Sequence, residues 1–90
     1  MERFPISHYK KSGSSIFVNG GTLTVTEGEY IVEYLKKEVA RFSVQNTTVT
    51  KAPVELLYEG IRLTEGRASI DLYFLKTGNT AKAIREHFQI

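Results

Sequence analysis

Three features of the sequence predict a mainly β fold (α+β by count), in which six to seven short antiparallel strands curl into a partly open barrel capped by one C-terminal helix. Apolar and polar residues alternate in short runs, the period of a half-buried strand. Turn signals built on Gly, Asn and Pro separate these runs at roughly 8–12-residue spacing, as in meandering all-β domains. The period changes to that of a helix only after Thr77.

The clearest strand is Thr22-Leu23-Thr24-Val25-Thr26, which sets Leu23 and Val25 on one face and three threonines on the other. Glu27-Gly28-Glu29 reads as the turn after it, with Gly28 free to take a positive φ. Tyr30, Val32 and Tyr34 share one face of the next strand, opposite Ile31, Glu33 and Leu35, and Lys36-Lys37-Glu38 turns the chain. Alternation resumes from Val39 to Gln45, with Ala40, Phe42 and Val44 inward. Thr47 to Thr50 is a further β-branched run, broken by Ala52-Pro53, where proline removes a ladder donor. Val54 to Tyr58 and Ile61 to Leu63 read as strands on either side of a bulge at Glu59-Gly60. The last strand, Ala68 to Leu75, follows the turn Thr64-Glu65-Gly66-Arg67. Thr77-Gly78-Asn79-Thr80 supplies N-cap residues, and Ala81, Ile84 and Phe88 then recur at helical spacing as one apolar stripe.

Ahead of these elements, residues 1–13 read as a flexible N-terminal arm joined to a single domain over 14–90. Pro5, the polar stretch Ser7 to Lys11 and Ser12-Gly13-Ser14-Ser15 show neither period. Phe4, Ile6 and Tyr9 could pin such an arm to the body or to a neighbouring subunit. Ile16-Phe17-Val18 is a short apolar run halted by Asn19-Gly20-Gly21.

Composition narrows the function. The chain has 90 residues, 41% hydrophobic and 24% charged, which is enough for one core and no more. With no Cys it has no disulfide, thiolate nucleophile or Cys-based zinc site. The formal charge is +2, and it resides in the first 13 residues, where Arg3, Lys10 and Lys11 face only Glu2. The rest is neutral by count, without the concentrated basic face that nucleic-acid binding draws on. No apolar run reaches the ~20 residues of a membrane-spanning helix, and the start lacks a signal-peptide layout, so a cytoplasmic location is expected.

From Gly21-Thr22-Leu23-Thr24-Val25-Thr26 through the Tyr30–Leu35 strand and Arg41-Phe42-Ser43-Val44 to Asp71-Leu72-Tyr73-Phe74-Leu75 and the helix Thr80–Phe88, the pattern resembles the pleckstrin-homology superfold. The likeness is to the small bacterial PH-like domains, over about residues 16–89. It implies a binding or assembly module, since this fold serves many roles. Phosphoinositide recognition in that superfold uses a basic loop between the first two strands. The corresponding turn here, Glu27-Gly28-Glu29, is acidic, and the alternative Asn19-Gly20-Gly21 is uncharged, so phosphoinositide is not the expected ligand.

No catalytic set is legible, and neither a cofactor nor a metal is expected. His8 and His87 are far apart and read as surface or capping residues, outside any metal-ligand spacing. Lys11-Ser12-Gly13-Ser14-Ser15 lacks the order of a phosphate loop and reads as a linker, and no nucleophile elbow holds a serine. Glu27 with Glu29, and Glu55 with Glu59, read as solvated turn charges, while Asp71 is offered Arg62 as a cross-strand partner. A non-enzymatic module that binds a protein or forms a homo-oligomer is therefore expected. Both faces of the Tyr30–Leu35 and Val54–Tyr58 segments carry apolar residues, more than one interior can take. The interface candidates are Tyr34, Leu35, Leu57, Phe4 and Tyr9. The alternative is weak binding of an anionic surface or nucleic acid through Lys10, Lys11, Lys36, Lys37 and Arg41. A small-ligand cavity inside the barrel is left open, because residues filling a barrel and lining a cavity look alike.

Overall fold

Strand structure begins at the second residue. In the computed structural model, which describes the backbone of residues 1–11, 14–16 and 20–90 and the side chains outside 12–19, strand β1 (Glu2–Ile6) leads into β2 (His8–Lys11) through Ser7 alone. There follow β3 (Ser14–Ile16), β4 (Gly21–Val25), β5 (Glu29–Tyr34), β6 (Lys37–Ser43) and β7 (Thr48–Lys51). The chain ends with β8 (Tyr58–Glu65), β9 (Ala68–Leu75) and helix α1 (Asn79–Phe88). Among the described residues the strands form two antiparallel sheets, ordered β1-β4-β5-β6 and β3-β2-β9-β8-β7.

The mainly β class and the single C-terminal helix therefore stand, while the count and closure differ from expectation. Among the described residues there are nine strands instead of six or seven, in two sheets and not a closed barrel. The expected arm is the main correction. Residues 2–11 pass through both sheets, β1 pairing with β4 and β2 with β9, and the chain turns the corner where the Ser7 N–H donates to the Tyr73 carbonyl at 2.8 Å. Phe4, Ile6, His8 and Tyr9 are buried. Residues 12 and 13 of the expected arm, and Phe17 to Asn19, lie outside the described residues. The first hairpin is thus β2–β3, so Glu27-Gly28-Glu29 is not the loop between the first two strands.

Alternation places the core as the sequence implies. Leu23 of β4, Tyr30, Val32 and Tyr34 of β5, and Phe42 of β6 face Ile61 and Leu63 of β8 and Ile70, Leu72 and Phe74 of β9 in one cluster. Each fully buried aliphatic side chain here contributes about 1.5–3 kcal/mol. Helix α1 packs against β1 and β9, with Ala81 and Ile84 fully buried and Phe88 tilted against Tyr30 at 5.8 Å. Its N-cap is Gly78, with no side-chain cap, in place of the polar cap expected from Asn79 or Thr80. Gln89 takes the left-handed conformation (φ 57°) that ends the helix.

Two turns differ from their sequence reading. Gly28 does not use a positive φ, whereas Leu35 (φ 51°) and Lys36 (φ 65°) both do, in the two-residue loop between β5 and β6. Lys37 accordingly belongs to β6, not to the turn. Such a loop favours Asn-Gly, because a side chain with Cβ costs about 1 kcal/mol or more per left-handed residue. The double substitution Leu35→Asn with Lys36→Gly should therefore raise the urea midpoint of unfolding, by about 1 kcal/mol or more in free energy. Gly60 makes no bulge either. It stands in register opposite Tyr73 within β8.

Candidate interaction face

The register of the five-stranded sheet sets His8, Tyr73 and Gly60 in one row across β2, β9 and β8, and Lys10, Asp71 and Arg62 in the next. Both rows lie on the face away from the core. In the first, glycine leaves room for the Tyr73 ring, and His8 stacks on that ring with centroids 4.8 Å apart and planes 4° from parallel. In the second, Arg62 donates to both Asp71 oxygens at 2.7 and 2.9 Å, the cross-strand pair the sequence suggested. The Asp71 carboxylate raises the Arg62 pKa.

Residues 52–57 cover these rows. Val54 to Tyr58 reads as a strand in the sequence; instead residues 52–57 cross the sheet and end in a tight turn, and only Tyr58 belongs to a strand. Ala52 N–H donates to Gly60 O at 2.9 Å, and the Tyr73 hydroxyl donates to Pro53 O at 3.2 Å. Glu55 reaches down between His8 and Lys10, accepting from His8 Nε2 at 2.8 Å and Lys10 Nζ at 2.5 Å. Glu55 and Tyr58 exchange backbone hydrogen bonds of 2.9 and 3.3 Å, closing a turn with Leu56 and Leu57 at its tip. From the far side Lys76 holds both tip carbonyls, its N–H on Leu57 O at 3.1 Å and its Nζ on Leu56 O at 3.2 Å.

This turn is rigidly held yet presents apolar side chains to water. Leu56 is 90% exposed, Val54 67% and Leu57 62%, with Leu75 of β9 at 49%. Turn tips favour Gly, Asn, Asp and Pro for backbone reasons that leucine does not satisfy. Nor do these leucines fill the core. Beside the turn lies a depression of about 300 Å³, lined by Pro5, Ile6, Tyr58, Phe74 and Leu75, with Ser7, Gly78 and Thr80 completing it.

The interface candidates divide. Leu57 sits at the tip, and Leu35 is exposed at the β5–β6 turn, whereas Phe4, Tyr9 and Tyr34 are core residues. Phe4 packs edge-on against His87 at 5.5 Å and Tyr9 against Tyr34 at the same distance. Strand β1 draws Phe4 inward, and the two tyrosines fill the angle where the sheets meet.

The basic candidates are not brought together as free charges. Lys10 is bound to Glu55 and lies 5.2 Å from the centre of the Tyr73 ring. Lys11 donates to Val39 O at 2.8 Å. Arg41 is held by Glu29 at 2.5 Å and Glu38 at 2.7 Å. Of these five candidates, Lys36 and Lys37 are the ones that extend into solvent with no such bond to the described residues. The described residues include no group of three or more His, Cys, Asp or Glu placed to hold a metal. Among the described residues no helix is long and apolar enough to cross a membrane.

Sequence reading missed the pairing of His8 with Glu55, taking the first for a surface residue and the second for a solvated charge. In the structure His8 is 1% exposed. The Lys10 and His8 hydrogen bonds together lower the Glu55 pKa below its ordinary 4.5, and Glu55 in turn raises that of Lys10 above 10.5. A carboxyl whose pKa is lowered on folding stabilises the fold above its unfolded value and loses that contribution as pH falls through the folded value. A lysine raised on folding stabilises below its unfolded value and loses that contribution as pH rises through the folded one. The Glu55–Lys10 anchor is therefore at full strength between about pH 4.5 and 10.5. Below pH 4.5 the wild type should lose stability more steeply than Glu55→Gln, as read from urea midpoints against pH.

Compared with protein-family models, with curated proteins and with solved structures, the chain matches none.

Proposed function

We propose that this chain is a non-enzymatic protein-interaction module of PH-like architecture that docks another polypeptide through the Leu56-Leu57 turn. One observation carries the reading. A pair of leucines, Leu56 almost fully in water and Leu57 mostly so, stands on a turn whose backbone is fixed from three sides, by Glu55, Pro53 and Lys76. Exposed apolar groups grouped in this way mark contact surfaces, and pre-ordering the turn lowers the entropy cost of binding. The PH-like part of the proposal draws support from the chain path: an N-terminal strand bent through both sheets, two antiparallel sheets, and a C-terminal helix packed against them. The alternative of binding anionic surfaces has less to draw on, since Lys10, Lys11 and Arg41 are already engaged.

A photo-reactive phenylalanine analogue in place of Leu56, irradiated in cells, tests the reading. Discrete protein adducts are expected from position 56, and none from the same analogue at the exposed helical residue Lys82. Equal adduct patterns at both positions, or adducts at neither, would overturn it.

A further inference from the structure

The turn and the depression beside it suit one another in character. Leu56 and Leu57 form a convex apolar tip. The neighbouring hollow of about 300 Å³ is lined by eight residues without a charge, mostly apolar. About 150 Å³ accommodates a benzene-sized group, so this hollow has room for two branched side chains.

Convex and concave parts lie on one face. Tyr58 closes the turn and also lines the hollow, and Leu75 lines the hollow next to Lys76, which grips the turn. Within one molecule the tip cannot enter the hollow, because the Glu55–Tyr58 bonds and Lys76 hold it out. Across a two-fold axis the two features exchange, since an isologous interface brings residue i of one copy to j of the other and j to i. We propose that this face pairs with itself, each copy setting its Leu56-Leu57 tip into the other's hollow beside Pro5, Tyr58 and Leu75.

A second copy suits the site because this chain carries both the apolar tip and the uncharged hollow on one face. Neither the tip nor the lining of the hollow carries a charged side chain, so docking strips no ion of water. An interface of standard size buries roughly 800 Å² per partner, about a seventh of the 5709 Å² this chain exposes. One tip and one hollow per copy make a smaller contact than that, so association that rises with concentration is expected in place of an obligate dimer.

This inference rests on the proposed docking turn, and its test is kept separate by using the purified chain alone. Sedimentation equilibrium over a hundredfold range of concentration should show a monomer–dimer equilibrium for the wild type. Two variants remove one half of each joint: Leu56→Ser with Leu57→Ser blunts the tip, and Gly78→Leu fills the hollow. At Gly78 an added Cβ meets nothing closer than 3.5 Å, and circular dichroism of each variant is the check that it folds. Each variant alone should be monomeric at concentrations where the wild type is dimeric. An equimolar mixture of the two should regain association, at least tenfold stronger than either variant alone, because the heterodimer keeps one intact joint. A wild type that stays monomeric throughout, or a mixture no stronger than its components, would overturn the self-pairing. If position 56 still cross-links to other proteins in cells, the docking turn would stand and only the identity of its occupant would change.

Discussion

Gly60→Ala should lower the stability of this protein by about 3 kcal/mol, near the top of the range for overpacking a well-filled interior. A Cβ at this position would lie 2.7 Å from the Leu72 carbonyl oxygen and 2.9 Å from the Tyr73 ring. The first obstacle is backbone in the central strand of its sheet and cannot swing aside. The second is a ring fixed on its other side by His8 and at its hydroxyl by Pro53. Relief would require β8 and β9 to separate. In a domain of this size each kcal/mol shifts the melting temperature by roughly 4–8 °C. A fall of well over 10 °C by circular dichroism is thus expected. Gly28→Ala is the matched control: its added Cβ meets nothing within 4 Å, and the melting temperature should hold or rise slightly.

Ile84→Ala should cost about 3 kcal/mol, because a fully buried side chain leaves a cavity that its surroundings only partly fill. The effect should extend beyond the local contact. A ten-residue helix is too short to persist without tertiary packing, and this one lacks a side-chain N-cap. Ile84 and Ala81 are its only fully buried residues. Phe88→Ala should cost less, since Phe88 is only partly buried. Thermal unfolding of the two variants, followed at 222 nm and by tyrosine fluorescence, should show coincident helix and core transitions, with Ile84→Ala melting first.

What was legible in the sequence is what local pattern controls. The alternation Tyr30-Val32-Tyr34, the run Ala68 to Leu75 and the stripe Ala81-Ile84-Phe88 each report a face, and each face meets the core. Arg62 with Asp71 was legible for a related reason. A tight turn at Gly66-Arg67 sets the register of β8 on β9, so residues on the two strands could be paired by counting. Local pattern failed at the N-terminus. Pro5 reads as a breaker, yet β1 lies at the end of its sheet, where a missing N–H leaves no ladder bond unmade. Phe4 and Ile6 on either side of it alternate as any strand does. His8 and Glu55 are 47 positions apart and meet only because the 52–57 segment folds back over the sheet, which neither neighbourhood encodes. Val54 to Leu57 has the composition of a strand. Its conformation is decided by Pro53 and the Glu55–Tyr58 closure, and its composition is better explained by what it presents to water.

The bend at Ser7 carries a consequence for how the molecule is assembled in the cell. Because Tyr9 pairs with Leu72, β2 must wait until β9 has been made before the second sheet can be completed. Pairings this distant in sequence slow folding, because the loop between them must close before any contact rewards it. During that interval β1 can already join β4 and β2 can pair with β3, while the edge of β2 that will meet β9 stays open. The nascent chain thus passes through a half-built state with one sheet zipped and a sticky edge exposed. Protection of that edge, by slow elongation or by a chaperone, would govern how much of the translated protein matures.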